Sequence, residues 1–125
     1  MKPRIISFLP AICWLLLSFY LLTLPGKSIP DITLFNKLQL DKVVHILMFG
    51  ILVLLFLAPF KTQWPKQSFL ITAILFAAFA IGYGIAMEFV QKYYIPNRSF
   101  DVWDIAADVT GSLIPVGWLY AKFRY

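Results

Sequence analysis

The sequence predicts an all-α integral membrane protein, a compact bundle of four transmembrane helices, and three observations carry that prediction. Hydrophobic residues make up 61% of the 125 and charged residues only 14%, against roughly 45–50% and about 25% in ordinary globular chains. Four long apolar segments follow one another, with most charges at their edges. Each approaches the roughly 20 residues a helix needs to cross about 30 Å of hydrocarbon. A soluble fold of this length has too little interior to hide so much apolar surface, whereas lipid accepts it. Helices are the economical choice there, because each backbone N–H and C=O must find its partner within the segment.

The first segment runs from about Ile5 to Leu24. Lys2 and Arg4 before it also suit a signal peptide, but the run is long for one and no A-x-A-like site follows. An uncleaved helix that ends at Pro25-Gly26 is expected. The second segment runs from about Val43 to Phe60, and the third from about Phe69 to Met87, continuing to Tyr94. The fourth runs from about Val102 to Ala121, with Pro115 expected to kink it. Residues 1–125 read as one domain. In the third segment, Ala78, Gly82 and Ala86 form one small-residue series and Ala80 and Gly84 another. Spacing of four suits close helix packing, so both are expected at contacts. Trp64 and Trp103 stand at segment edges, as interfacial aromatics do.

Orientation follows from the charges. With four spans, Lys2, Arg4, Lys61, Lys66, Lys122 and Arg124 fall on one side, in short tails and a tight loop free of acids. All six acids, Asp31, Asp41, Glu88, Asp101, Asp104 and Asp108, fall on the other. Both termini are therefore expected in the cytoplasm of a bacterial inner membrane. The net charge of +5 addresses the membrane surface, since no basic stripe with interleaved aromatics suggests nucleic acid. The single cysteine, Cys13, excludes an intrachain disulfide and a Cys-based metal site.

The chemistry is concentrated in three short stretches that this topology brings to one face. They are Asp41-Lys42-Val43-Val44-His45, Glu88-Phe89-Val90-Gln91, and Asn97-Arg98-Ser99-Phe100-Asp101 leading into Asp104 and Asp108. Asp41 and His45 are four apart, Glu88 and Gln91 three apart, so each pair shares a helix face. Asp101, Asp104 and Asp108 form one stripe that continues into Gly111. At 1.5 Å per residue, Asp108 lies roughly 9 Å inside its helix, where a carboxylate needs a cavity or a partner.

These residues resemble the VanZ-like family. The likeness rests on Asp41-Lys42-x-x-His45-x-x-x-Phe49-x-x-Leu52, Gly84-x-x-x-Glu88-x-x-Gln91 and Arg98-x-x-Asp101-x-x-Asp104-x-x-x-Asp108-x-x-Gly111. It covers about residues 41–117, and Asp108 stands where many members carry Asn. The resemblance implies a cell-envelope protein with a link to teicoplanin resistance, and leaves the mechanism open.

Each polar residue also has a structural role open to it. Asp101 can N-cap the fourth helix with Asp104 in its first turn, Lys42 can snorkel to the headgroups, and Gln91 can join helices. His45 suits a hydrogen bond better than a metal, and Arg98 is expected to pair with the acids. The leading expectation is an outward-facing polar pocket of Asp41, Lys42, His45, Glu88, Gln91, Arg98, Asp101, Asp104 and Asp108. It would take a lipid headgroup or lipid-linked envelope molecule, without a cofactor or metal. The alternatives are a membrane-embedded enzyme on such a lipid, with His45 or Glu88 as base or the acids holding a divalent cation, and a purely structural polar clamp. No H-E-x-x-H, G-x-S-x-G, P-loop or nucleotide fingerprint supports an enzyme.

Overall fold

The computed structural model describes residues 3–25, 40–60 and 65–123. Four α-helices account for nearly all of them: α1 (Leu9–Leu22), α2 (Leu40–Leu57), α3 (Lys66–Tyr94) and α4 (Val102–Phe123). Short 3-10 turns, Ile5–Phe8 and Ala58–Phe60, precede α1 and follow α2. No strand occurs among the described residues. Trp64, Lys61, Asp31 and the Gly26 of the expected Pro25-Gly26 stop lie outside them.

Three stretches, Ile5–Leu22, Leu40–Phe60 and Lys66–Tyr94, are long and apolar enough to cross a membrane. The chain is a membrane protein. The fourth helix matches them in length, with 22 residues spanning about 33 Å, but Asp104, Asp108 and the polar Thr110-Gly111-Ser112 run dilute its apolarity. That polarity is turned inward. Asp104, Asp108, Gly111, Ser112, Pro115 and Leu119 are buried, while Leu113, Ile114 and Trp118 face outwards. Large apolar side chains cover the outside of the other helices too, Leu16, Leu47, Leu75 and Phe79 among them. A bundle that faces lipid shows apolar surface outside and keeps its polar groups between helices.

The small residues of α3 divide by face. Ala73, Ala77, Ala80 and Gly84 are buried and open the bundle side of α3, continued by Met87, Glu88 and Gln91. Ala78, Gly82 and Ala86 are exposed, and a Cβ on Gly82 would meet nothing within 4 Å. The expectation that both series sit at helix contacts is therefore corrected: only the one in phase with Glu88 and Gln91 does.

The backbones of α2 and α4 approach each other closely. A Cβ on Gly111 would collide with the backbone of Ile46, and one on Gly50 would stand 3.2 Å from the Gly111 carbonyl oxygen. Pro115, lacking an N–H, leaves that same carbonyl without its i+4 donor. The helix nevertheless runs continuously from Val102 to Phe123 through Pro115. The lower bundle is filled by Leu52, Val53, Leu57, Ala73 and Leu119 and by the ring pairs Phe56–Phe76 and Phe60–Phe76. The first helix leans on this body through the Trp14 indole, which donates to the Met48 carbonyl at 2.9 Å. The Ser18 hydroxyl donates to the Leu15 carbonyl at 2.7 Å, so Tyr83, 3.0 Å away, donates to Ser18.

The two kinds of glycine give opposite expectations. Gly111→Ala forces α2 and α4 apart and should cost about 1–3 kcal/mol, the usual scale of overpacking. Gly82→Ala meets open space and should be neutral or gain up to about 1 kcal/mol of helix propensity. Thermal unfolding of the two variants in detergent checks this pair.

Candidate functional site

The polar site sits where α2 begins, α3 ends and α4 begins. The connection from α3 to α4 turns at Asn97, whose φ of 60° is the left-handed conformation that asparagine tolerates better than most residues. Asp101 then starts α4 as its N-cap. Its Oδ1 accepts the Trp103 backbone N–H at 2.9 Å, a bond that stabilises a helix start by about 1 kcal/mol. The Asp101 N–H donates to Glu88 Oε2 at 3.1 Å, tying the end of α3 to the start of α4.

Lys42 is the centre of the cluster. Its ammonium donates to Asp41 Oδ2 at 2.8 Å, to Asp101 Oδ2 at 2.8 Å and to Asp104 Oδ1. An ammonium has three hydrogens, and here each has a carboxylate. The side chain is only 18% exposed, so the snorkelling expected of Lys42 gives way to an interhelical clamp. The reason is the phase of α2, which aims position 42 at the start of α4 instead of the lipid.

One turn deeper, His45 Nδ1 lies 2.7 Å from Asp108 Oδ1. The carboxylate accepts, so the ring carries its hydrogen on Nδ1. Its Nε2 faces Asp104 Oδ2 at 3.9 Å. The imidazole stacks parallel to Phe49, with centroids 6.4 Å apart. Gly84 makes room for this pair, since a Cβ there would stand 2.6 Å from Asp108 Oδ2 and 3.0 Å from the Phe49 ring. Ser112 closes the layer by donating to the Asp108 carbonyl at 2.7 Å. Glu88, Gln91 and Asp108 are 1–2% exposed, and no buried side-chain polar atom among the described residues lacks a partner.

Two of the expected residues act on α1. Gln91 Nε2 donates to the Leu22 carbonyl at 2.8 Å, and Arg98 Nε to the Leu24 carbonyl at 3.0 Å. The Leu22 oxygen ends α1 and the Leu24 oxygen lies two residues beyond it, where helical partners run out. The expected pairing of Arg98 with Glu88, Asp104 or Asp108 is corrected: among the described residues no salt bridge joins it to a carboxylate. Burial pulls the Arg98 guanidinium below its ordinary value, and the fields of Asp104 and Glu88 oppose that. Asp101, by contrast, is held below the usual carboxylate range, chiefly by its hydrogen bond from Lys42.

The nine residues thus divide into a Lys42–Asp41–Asp101–Asp104 cluster, a His45–Asp108 pair, a Glu88 strut, and the α1 anchors Gln91 and Arg98. Sequence reasoning missed Tyr83 and Ser18, and Trp14 as an anchor of α1. A signal for Tyr83 existed, since it lies three residues after Ala80 and four before Met87, both on the buried side of α3. Among the described residues no group of three or more His, Cys, Asp or Glu is arranged to hold a metal ion. The point where Asp41, Asp101 and Asp104 converge is filled by the Lys42 ammonium.

A family model described as VanZ/LLP1 matches residues 7–124. The chain belongs to the VanZ/LLP1 family. Its match begins well before Asp41, so α1 is part of the family unit although its sequence carries no polar signature. No curated protein matches this family member, and neither does any solved structure.

The Lys42–Asp101 bond gives a pH dependence of known sign. A carboxylate with a lowered folded value contributes stability above its ordinary pKa of about 3.9 and loses it as pH falls through the folded value. The wild type should therefore melt above Asp101→Asn at pH 6, with the gap closing below about pH 4. Asparagine still caps the helix, so the difference reports the charge. Melting curves of both proteins between pH 6 and 3 read it.

Proposed function

We propose that this VanZ-family chain is a bacterial cell-envelope protein that crosses the inner membrane four times, with both tails in the cytoplasm. The polar cluster then faces outwards and binds an envelope lipid headgroup or a lipid-linked envelope molecule. Through that ligand it modulates susceptibility to teicoplanin-type glycopeptides.

One observation supports this reading above the others: the cluster holds more acid than its own cations neutralise. Asp41, Asp101, Asp104, Asp108 and Glu88 face Lys42, Arg98 and, when protonated, His45. Five carboxylates against three cations is an unbalanced clamp, and buried ion pairs are a poor source of stability in any case. The excess opens to the surface, where the Asp41 and Asp101 side chains are 44% and 36% exposed. An amine-bearing headgroup satisfies it, with Arg98 close by for the phosphate.

A second reading has its own observation. The Asp108–His45 pair has the form of an oriented general base, with the acid fixing the tautomer. Acid–base chemistry on a lipid-linked substrate would use it, with Asp104 beside the second nitrogen.

Both readings meet the same experiment. In a Cys13→Ala background, an external thiol reagent should label Asn97→Cys and spare Gln67→Cys; the reverse pattern would put the cluster on the cytoplasmic face. A deletion strain carrying the Asp41→Asn/Asp101→Asn variant, expressed to the same level of folded protein as the wild type, should then lose any difference between lipid-anchored and lipid-free glycopeptides. Full complementation by that variant contradicts the binding reading. Loss of the phenotype in His45→Gln with Asp41→Asn/Asp101→Asn still active favours the acid–base reading instead.

A further inference from the structure

A second site lies at the opposite end of the bundle, where α2 ends, α3 begins and α4 ends. A cleft of about 530 Å³ opens there between Leu57, Lys66, Phe69, Trp118 and Lys122. That volume is in the range of about 300–1,000 Å³ typical of small-molecule sites. A second cleft of about 400 Å³ runs beside it and shares Lys66 and Phe123. Phe123 thus stands between two apolar grooves that meet at one lysine.

The charges around these grooves are of one sign. All five described acids belong to the polar cluster at the other end. Among the described residues neither Lys66 nor Lys122 has a carboxylate partner. Each ammonium instead rests on an aromatic ring, Lys66 Nζ at 5.8 Å from the Phe123 centroid and Lys122 Nζ at 4.9 Å from that of Trp118. Cation–π contact holds a lysine in place without neutralising it. Two fixed cations above paired apolar grooves, at the end of a bundle in lipid, match a molecule with one anionic head and two chains.

We propose that this end of the bundle binds an anionic two-chain phospholipid of the surrounding bilayer. Its phosphate contacts Lys66 and Lys122, and its acyl chains occupy the grooves on either side of Phe123. Basic pockets between helices at a membrane face recognise such headgroups by charge. The Leu57, Phe69 and Phe123 walls add apolar contact that a free phosphate cannot use. The site is separate from the acidic cluster and does not depend on what that cluster binds.

The test is native mass spectrometry of the full chain from detergent, with phosphatidylglycerol, phosphatidylcholine or glycerol phosphate added. Phosphatidylglycerol should bind in preference to phosphatidylcholine, and glycerol phosphate should not bind. Each lysine contributes about fivefold, so Lys66→Gln/Lys122→Gln should lower the preference by about 25-fold, whereas Lys92→Gln at the other end should leave it intact. Ala58→Trp, which fills the larger cleft and keeps both charges, should weaken binding of both lipids. Equal binding of the two lipids by the wild type overturns the proposal, and so does an unchanged preference in the double lysine variant. Glycerol phosphate bound as tightly as the lipid would reduce the site to a phosphate site.

Discussion

The structure depends on one ammonium group shared by three carboxylates. Lys42 comes from α2, Asp101 and Asp104 from the start of α4, so the contact fixes both the register and the rotation of one helix against the other. Lipid supplies little hydrophobic drive for helix association. What selects one packing among several is a set of directional contacts, and this is the densest of them. Once α2 and α4 are in this register, Gly50 and Gly111 meet, His45 reaches Asp108, and Gly84 of α3 can close over the pair. Buried charge of this kind is a weak source of net stability but a strong penalty on every arrangement that leaves a member unpaired.

The same constraint explains how the remaining elements are attached. Glu88 accepts from the backbone of Asp101, so the end of α3 follows the start of α4. Gln91 and Arg98 then hold carbonyls at the end of α1, which also packs on the bundle through Trp14, Leu15, Ser18 and Leu22. The polar end therefore organises four helices, while the opposite end is apolar, aromatic and edged with lysine.

Much of the architecture was legible in the sequence, because apolar run length and helix composition answer directly to the thickness of a membrane. The three polar stretches were legible as well, since an acid at Glu88 or Asp108 inside an apolar run needs a partner. Which partner it takes was not. Lys42 and Arg98 both lie beside acids in the sequence, yet the rotation of α2 gives the cluster to Lys42 and the turn at Asn97 gives Arg98 to Leu24. Two small-residue series with the same spacing occur in α3, and spacing alone does not choose between them. Phase with Glu88 does, because the face that holds the buried acid must also be the face that packs. The lysines at the other end read only as topology markers until Phe69, Trp118 and Phe123 are seen to form walls around them.

The central claim is that Lys42 and Asp104 stabilise the bundle through each other. A double-mutant cycle of Lys42→Met and Asp104→Asn, read as unfolding free energy in micelles, measures it most directly. Each single change should destabilise, because Lys42→Met leaves three carboxylates without their shared cation and Asp104→Asn removes the most buried of its three acceptors. The double variant should be more stable than the sum of the two losses implies, with a coupling of about 1–3 kcal/mol. Losses that add to within about 0.5 kcal/mol would contradict the account, and the register of α2 on α4 would then rest on the glycine contact and the His45–Asp108 bond.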